Sequence, residues 1–496
     1  MAKKSPKKLK ILFAASEVVP FAKTGGLADV AGALPKALRE LGHDVRIVMP
    51  RYECINGEKF GIKPTQYAVN VDIALYNHRG EIHESTVPGT DIPVYFIDNP
   101  EFFHRPELYR TPQGEYWDNA ERFIFFSRAV VEMIKEIGFQ PDVINCNDWH
   151  TGLIPVYLKT IYSGDEFYKN IKTVYSIHNI AYQGAFDKSK LLHAGLWWDI
   201  FTMDKIEFYD MVNFMKGGIV FADKVNTVSE KYREEIMTPE FGYNLDGVLR
   251  NRQQDVVGIL NGIDYSAWDP RTDKLLYSNY SEETIEEKEN VKKKLLEENG
   301  LKYIEGVPLL GLVSRLDDQK GLDFIAAIID DMMRLNIQFV LLGTGEERYH
   351  HMFNHLKSKY PEKLGVNIKF DNKIAHNIYA GSDMFLMPSR FEPCGLGQLI
   401  SLKYGTIPIV RETGGLADTV KQYNFKTRQG NGFVFSGYNP WDLLHAIRMA
   451  ADSYKNRTVW KRIMNNGMKQ DFAWEGSAEH YVALYEKAMG IKQQEQ

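Results

Sequence analysis

The chain has 496 residues, 44% of them hydrophobic and 25% charged, with a formal net charge of -5, ordinary values for a globular protein long enough to hold two or three full cores. That charge gives no general reason to expect nucleic acid or an acidic membrane as partner, so any anion site has to be local. Three widely spaced cysteines, Cys54, Cys146 and Cys394, argue against a disulfide framework or a Cys-rich zinc site and suit a reducing cytoplasm.

The basic lead-in Lys3-Lys4-Ser5-Pro6-Lys7-Lys8 runs into an apolar stretch, residues 11–15, too short for the h-region of a signal peptide. No segment carries the roughly 18 consecutive apolar residues of a membrane span. Residues 11–15 read as a first strand, followed by the loop Lys23-Thr24-Gly25-Gly26-Leu27, a helix over 27–41 and a strand over 45–50. That order is a βαβ unit. Residues 57–98 carry short alternating runs and read as a β-rich insertion, and 122–137 have helical apolar spacing. A strand over 141–147 ends in Asp148-Trp149-His150, and one over 173–177 ends in His178-Asn179. Doubly wound sheets place functional groups at such strand ends.

A strand over 256–260 leads into the turn Asn261-Gly262-Ile263-Asp264, and the highly charged residues 282–298 read as a surface helix. The strand pattern then restarts over 309–313, 339–342, 368–370, 384–387 and 407–410. Two consecutive doubly wound α/β domains are the economical reading, with a boundary near residues 258–264. One hexapeptide recurs: Thr24-Gly25-Gly26-Leu27-Ala28-Asp29 returns as Thr413-Gly414-Gly415-Leu416-Ala417-Asp418, each copy after a strand and opening a helix. Such a repeat is also a good strand-to-helix turn in its own right.

The first loop is neither a dinucleotide Gly-x-Gly-x-x-Gly nor a Walker loop. Lys23 beside two glycines still suits an oxygen-rich anion, because glycine lets backbone N–H groups approach closely. In the second half, Ser314-Arg315-Leu316-Asp317-Asp318-Gln319-Lys320-Gly321 begins where a strand ends. Arg315 can fork two donors onto a phosphate and Lys320 adds a second cation, although Arg315 paired with Asp317 or Asp318 is the plainer alternative. After the strand 384–387, Pro388-Ser389-Arg390-Phe391-Glu392-Pro393-Cys394-Gly395-Leu396-Gly397 sets a carboxylate before a glycine-rich helix start, read as residues 395–403. A helix start favours an anion. The single residues Asp148 and His178 at strand ends, and Asn261 in a turn, are weaker signals.

These residues resemble the bacterial glycogen synthase and plant starch synthase family, retaining glucosyltransferases that extend α-1,4-glucan from ADP-glucose. The matching motifs are Lys23 to Leu27, Asp148-Trp149-His150, His178-Asn179 with Tyr182-Gln183-Gly184, Asn261 to Asp264, Ser314-Arg315-Leu316 with Lys320-Gly321, Pro388 to Leu396, and Thr413 to Asp418, in the family's order along nearly the whole chain. The resemblance implies an α/β fold of two Rossmann-like doubly wound domains facing across a deep cleft (GT-B type). Residues 1–258 would form an acceptor domain, with a C-terminal helix over 474–496 packing back on it, and 259–473 a nucleotide-sugar domain.

It also implies roles. Lys23, the amides of Gly25 and Gly26, Arg315, Lys320 and the Cys394-Gly395-Leu396-Gly397 backbone would hold the diphosphate. Glu392, His178, Asp148 and Asn261 would surround the transferred glucose, joined by Asp29 and Glu17. Glu392, Arg315, Lys320, His178 and Asp148 are the expected catalytic set. Phe370 matches an adenine-stacking aromatic, usually tyrosine, and Tyr116 a contact to acceptor or sugar. No cofactor and no metal are implied. Expected partners are ADP-glucose or UDP-glucose and a glycogen or malto-oligosaccharide acceptor. Three departures stand out: Gly397 replaces a common threonine, Trp117 stands where some relatives have histidine, and Ile400 occupies the place of a ribose-binding glutamate found in related transferases. Another two-domain sugar-nucleotide enzyme and a catalytically idle glucan-binding scaffold are the competing readings.

Overall fold

The computed structural model describes residues 8–111 and 113–491, so the lead-in before Lys8 and residues 492–496 of the expected terminal helix lie outside the described residues. The chain divides into two units, one comprising residues up to 228, 233–259 and 474 onward, the other 229–232 and 260–473.

In the first unit a nine-stranded sheet runs in the order Val256–Gly258, Lys224–Thr227, Lys172–Ile177, Val143–Asn147, Lys10–Ala14, Asp44–Pro50, Pro93–Asp98, Tyr76–Thr86, Lys63–Ile73. The pairings among the first seven strands are parallel and the last two are antiparallel. Val143–Asn147 and Lys10–Ala14 are almost wholly buried and, apart from Lys10, Asn145 and Asn147, apolar, as suits strands covered on both faces. The stretch expected as an insertion is instead the sheet's own edge: Pro93–Asp98 pairs in parallel with Asp44–Pro50, Val94 opposite Ile47. The hairpin Lys63–Ile73 and Tyr76–Thr86 extends it outward, with Val69, Val71 and Ile73 buried beneath the helix Asn119–Glu136. Alternation reveals a half-buried strand, not the sheet to which it belongs. The terminal helix Trp474–Ala488 packs against the helix Gly26–Glu40 and the strand Lys172–Ile177, burying Trp474, Ala478, Tyr481 and Leu484. Asn226 Nδ2 donates to Tyr481 Oη at 3.1 Å.

The second unit has six parallel strands ordered Leu364–Ile368, Gln338–Gly343, Leu309–Val313, Met384–Met387, Ile407–Arg411, Phe433–Phe435. Counted along the chain this is 3-2-1-4-5-6, the doubly wound order whose winding reverses between the first and fourth strands. The loops leaving that reversal are the ones that begin at Ser314 and Pro388. In the first unit the corresponding reversal lies between Lys10–Ala14 and Val143–Asn147, whose following loops begin at Ala15 and Asp148. The helix Leu322–Arg334 faces the second sheet with Leu322, Ile325, Ile328, Ile329 and Met332, a 3.6-residue stripe, and packs beside the helix Pro440–Tyr454.

Two further expectations shift. The strand expected at 368–370 is Leu364–Ile368, which leaves Phe370 beyond its end. The expected surface helix, observed as Lys288–Glu298, turns a face inward. Lys288 is 5% and Lys292 2% exposed, on one stripe with Val291 and Leu295. Lys292 Nζ donates to Asp383 Oδ2 and to the Val307 carbonyl, both at 2.7 Å. Charge counting cannot anticipate a partner 91 residues away.

Candidate active site

In the first unit, Glu17 is buried and both its oxygens are engaged. Oε2 accepts from the amides of Thr24 and Gly25, at 2.5 and 3.1 Å, and Oε1 from the Thr24 hydroxyl at 2.8 Å and Tyr109 Oη at 3.1 Å. The residue expected beside glucose therefore anchors the glycine loop, and the Gly25 amide is directed inward at it. Lys23 and Gly26 are exposed. Lys23 Nζ pairs with Asp29 Oδ1 at 2.7 Å, and burial raises the Asp29 pKa while Lys23 counters it.

Asp148 carries φ 54° and ψ -177°, a backbone state that costs a non-glycine residue about 1–3 kcal/mol and gathers at functional sites. It is held by its amide donating to the Ser176 carbonyl at 3.0 Å and by Oδ1 accepting from the His178 amide at 2.7 Å. Burial pushes its carboxyl up to about 7, the His178 and Asn179 amides pull it back, and the charge of Glu17 adds to the rise. Burial pulls His178 down to about 3, so its ring is neutral at pH 7. Asn147 Nδ2 donates to the Ala14 carbonyl at 2.9 Å, which leaves its Oδ1 to accept from His178 Nε2 at 2.8 Å. Nδ1 of this tautomer is then an acceptor. Tyr116 sits with the guanidinium carbons of Arg105 and Arg122 at 4.8 and 4.9 Å from its ring centroid, beside exposed Trp117.

In the second unit, Lys320 Nζ lies 3.0 and 2.7 Å from the two oxygens of Glu392, and Ser389 Oγ donates to Glu392 Oε2 at 2.9 Å. The two strand-end loops are pinned together by Arg390 N to Gln319 O, 2.9 Å, and Gln319 Nε2 to Phe391 O, 3.3 Å. Arg315 Nη1 lies 3.3 Å from Asp317 Oδ2 and its Nη2 donates to Gln319 Oε1 at 3.3 Å, while the residue remains exposed on the surface. The helix after Glu392 opens at Gly397, not Gly395, and runs seven residues to Lys403, so the amides of the turn are better donors to an anion than its short dipole.

A Cβ at Gly397 would come within 2.9 Å of the Phe385 ring and 3.3 Å of Tyr379 Oη; the volume a threonine would need is filled by aromatic groups. Asn261 is buried with no hydrogen-bond partner for its Oδ1 among the described residues, and its amide faces the Cys394 thiol, which burial pushes up to about 12. Phe370 stands 75% exposed just before the helix Asn372–Gly381, whose first turn is capped by Asp371 Oδ1 accepting from the Ile374 amide at 3.0 Å.

Sequence reasoning missed Asn147, Tyr109, Ser389 and Gln319, the residues that hold the predicted ones. Ser389 and Asn147 had a signal, a polar residue at a buried strand end beside a candidate. Tyr109 had none, since it reaches Glu17 from 92 residues away.

Residues 10–251 match the family described as starch synthase catalytic domain, and 296–466 that described as glycosyl transferases group 1. The glycogen synthase of Thermotoga petrophila is 48% identical over 486 residues, 97% of this chain and 99% of its own, and that of Desulforudis audaxviator is 50% identical over 491 residues, 97% of each. Among solved structures, the catalytic domain of starch synthase IV from Arabidopsis thaliana bound to ADP and acarbose is similar with a TM-score of 0.91 and 34% identity, covering 98% of this chain and 100% of that one. Sucrose-phosphate synthase from Thermosynechococcus elongatus, 16% identical with a TM-score of 0.60 over 98% of this chain and 100% of its own, shares the fold.

Proposed function

The chain belongs to the glycogen and starch synthase family of glucosyltransferases, and from that premise we propose that it transfers glucose from ADP-glucose to the 4-hydroxyl at the non-reducing end of an α-1,4-glucan, with retention of configuration. The observation that carries this reading is the Lys320, Glu392 and Ser389 cluster at the winding reversal of the second sheet, with Arg315 exposed on the same loop. The ADP and acarbose held by the starch synthase IV structure support an adenine nucleotide donor and a glucan acceptor.

In this reading residues 259–473 take the nucleotide sugar and those up to 258 the acceptor. Phe370 offers its face to adenine. Arg315, Lys320 and the turn amides after Gly395 stabilise the charge that grows on the diphosphate as the bond to C1 breaks, and Lys23 with Gly26 offers charge and close backbone approach to the same kind of anion. Glu392, already gripped by an ammonium and a hydroxyl, accepts from glucose hydroxyls and offsets positive charge at C1. Asn261 Oδ1, His178 Nδ1 and Asp148 supply further polar contacts to the sugar. The acceptor oxygen attacks from the face the diphosphate leaves, and its proton passes to a phosphate oxygen, so C1 keeps its configuration.

No helix among the described residues is long and apolar enough to cross a membrane, and the three free cysteines support a cytoplasmic setting. Incubation with glycogen and either ADP-glucose or UDP-glucose, scored by glucan-bound glucose and released nucleotide, tests the reading. Transfer with ADP-glucose is expected, and none with either donor overturns it. Glu392→Gln should lower kcat by about 100- to 1,000-fold in a protein that still melts cooperatively, whereas full activity would remove Glu392 from the site.

A further inference from the structure

Lys288 holds a buried cation against oxygens that carry no formal charge. Its Nζ donates to the Ala380 carbonyl at 2.5 Å, to Thr406 Oγ1 at 2.6 Å and to the Tyr404 carbonyl at 3.4 Å. The Thr406 hydroxyl hydrogen is itself directed at the carbonyls of Tyr379 and Ser382, so Thr406 receives from Lys288 as an acceptor. Three acceptors call for three hydrogens, which only the ammonium has; a neutral amine would turn its lone pair toward one of these oxygens. Tyr280 Oη lies 3.2 Å from the Ala380 carbonyl and 2.8 Å from that of Tyr404, the two that Lys288 also meets.

Those carbonyls belong to helix ends. Ala380 lies in the last turn of Asn372–Gly381 and Tyr404 caps Gly397–Lys403, where a cation is favourable. The first helix begins two residues after Phe370, the second directly after the Glu392 loop. A helix is a stiff rod, about 15 Å long for ten residues, so a shift at its far end is carried to its front.

We propose that Lys288 is a positioning residue for the donor: its ammonium ties the helix that follows Phe370 to the helix that follows the Glu392 loop, and loss of its proton loosens nucleotide binding without any contact to substrate. The proposal rests on the donor reading above. The groups that face Lys288 are Asp383 and Glu289, which favour its charge, Lys292, which opposes it, and burial, which dominates and brings it down to about 7. The phenols of Tyr280 and Tyr404 are pushed above their ordinary range and stay neutral. The ammonium is full below about 7 and is lost as pH rises through that value. Stability moves oppositely, because above it and up to the ordinary lysine range the unfolded chain binds the extra proton and folding gains with pH. A purely structural tie would not weaken ADP binding while the fold strengthens.

The test is ADP affinity by titration calorimetry on the full chain between about pH 6 and about pH 8.5, for wild type, Lys288→Met and Thr406→Val, with thermal melts alongside. Wild type should lose about tenfold in affinity across that range. Lys288→Met should bind weakly throughout, keeping only the titration that ADP itself contributes. Thr406→Val, which removes an acceptor and makes the ammonium costlier, should move the break to lower pH. A Lys288→Met protein with wild-type affinity and profile overturns the proposal. If that variant does not fold, an unmoved break in Thr406→Val overturns it. Binding without any such break refutes the role of Lys288 alone, and absence of ADP binding refutes it together with the donor reading.

Discussion

Thr24-Gly25-Gly26-Leu27-Ala28-Asp29 and Thr413-Gly414-Gly415-Leu416-Ala417-Asp418 are the same six residues opening a helix in each unit, yet their glycines meet different demands. In the first copy Gly25 is extended, at φ -146° and ψ -168°, a conformation open to any residue, and a Cβ on Gly25 or Gly26 would meet no atom within 4 Å. In the second copy Gly414 has φ +45° and a Cβ there would fall 1.9 Å from the Glu392 carbonyl oxygen, while one on Gly415 would fall 2.1 Å from that of Cys394. The Gly415 amide donates to the carbonyls of Glu392 and Pro393 at 3.1 and 3.2 Å. The second copy is the back wall of the Glu392 loop, and only glycine lets that loop lie so close. The first copy has open space before it, which suits an anion approaching the backbone. A repeated motif can therefore be packed against a neighbouring loop in one place and stand open in another.

The largest expected effect breaks the second copy. Gly414→Ala adds both a strained φ and an overlap with backbone, a cost of about 2–5 kcal/mol, and should appear as a lower melting temperature with transfer activity lost alongside. Gly26→Ala is the counterpart in the first copy. Its stability should stay within about 0.5 kcal/mol of wild type, while KM for ADP-glucose rises about tenfold. If the two variants melt alike, the distinction between the copies fails. The smallest effect concerns the aspartates. Asp29→Ala removes a partly exposed ion pair with Lys23 and should change the unfolding free energy read from denaturant titration by less than about 1 kcal/mol. Asp418, which accepts from the Lys231 amide at 3.0 Å, is the control in which a backbone donor loses its partner.

Much of the architecture was legible because buried parallel strands leave short apolar runs, and because polar clusters after such runs mark strand ends. Glu392, Lys320, Asp148 and His178 all occupy those ends. What escaped was anything decided by a distant partner. Phe370 reads as strand from its apolar neighbours, yet the ladder to Gln338–Gly343 stops at Ile368. Residues 282–298 read as a solvated helix, yet Asp383 and the carbonyls of Ala380 and Tyr404 draw two lysines inside. The resemblance places Glu17 near the sugar, and what no window of residues shows is that it also holds the glycine loop through the Thr24 and Gly25 amides.

The sequence by itself determined the two doubly wound halves, the loops that carry charge and glycine at strand ends, and the family these motifs point to, because period, turn chemistry and motif order are local properties. Only the tertiary structure decided which face of each helix is buried, that Glu392 is gripped by Lys320 and Ser389, that Asp148 is strained, and that one Thr-Gly-Gly loop packs while the other stays open. Hydrogen bonds, close backbone approach and desolvation depend on atoms brought together from far apart in the chain, and no window of residues contains them.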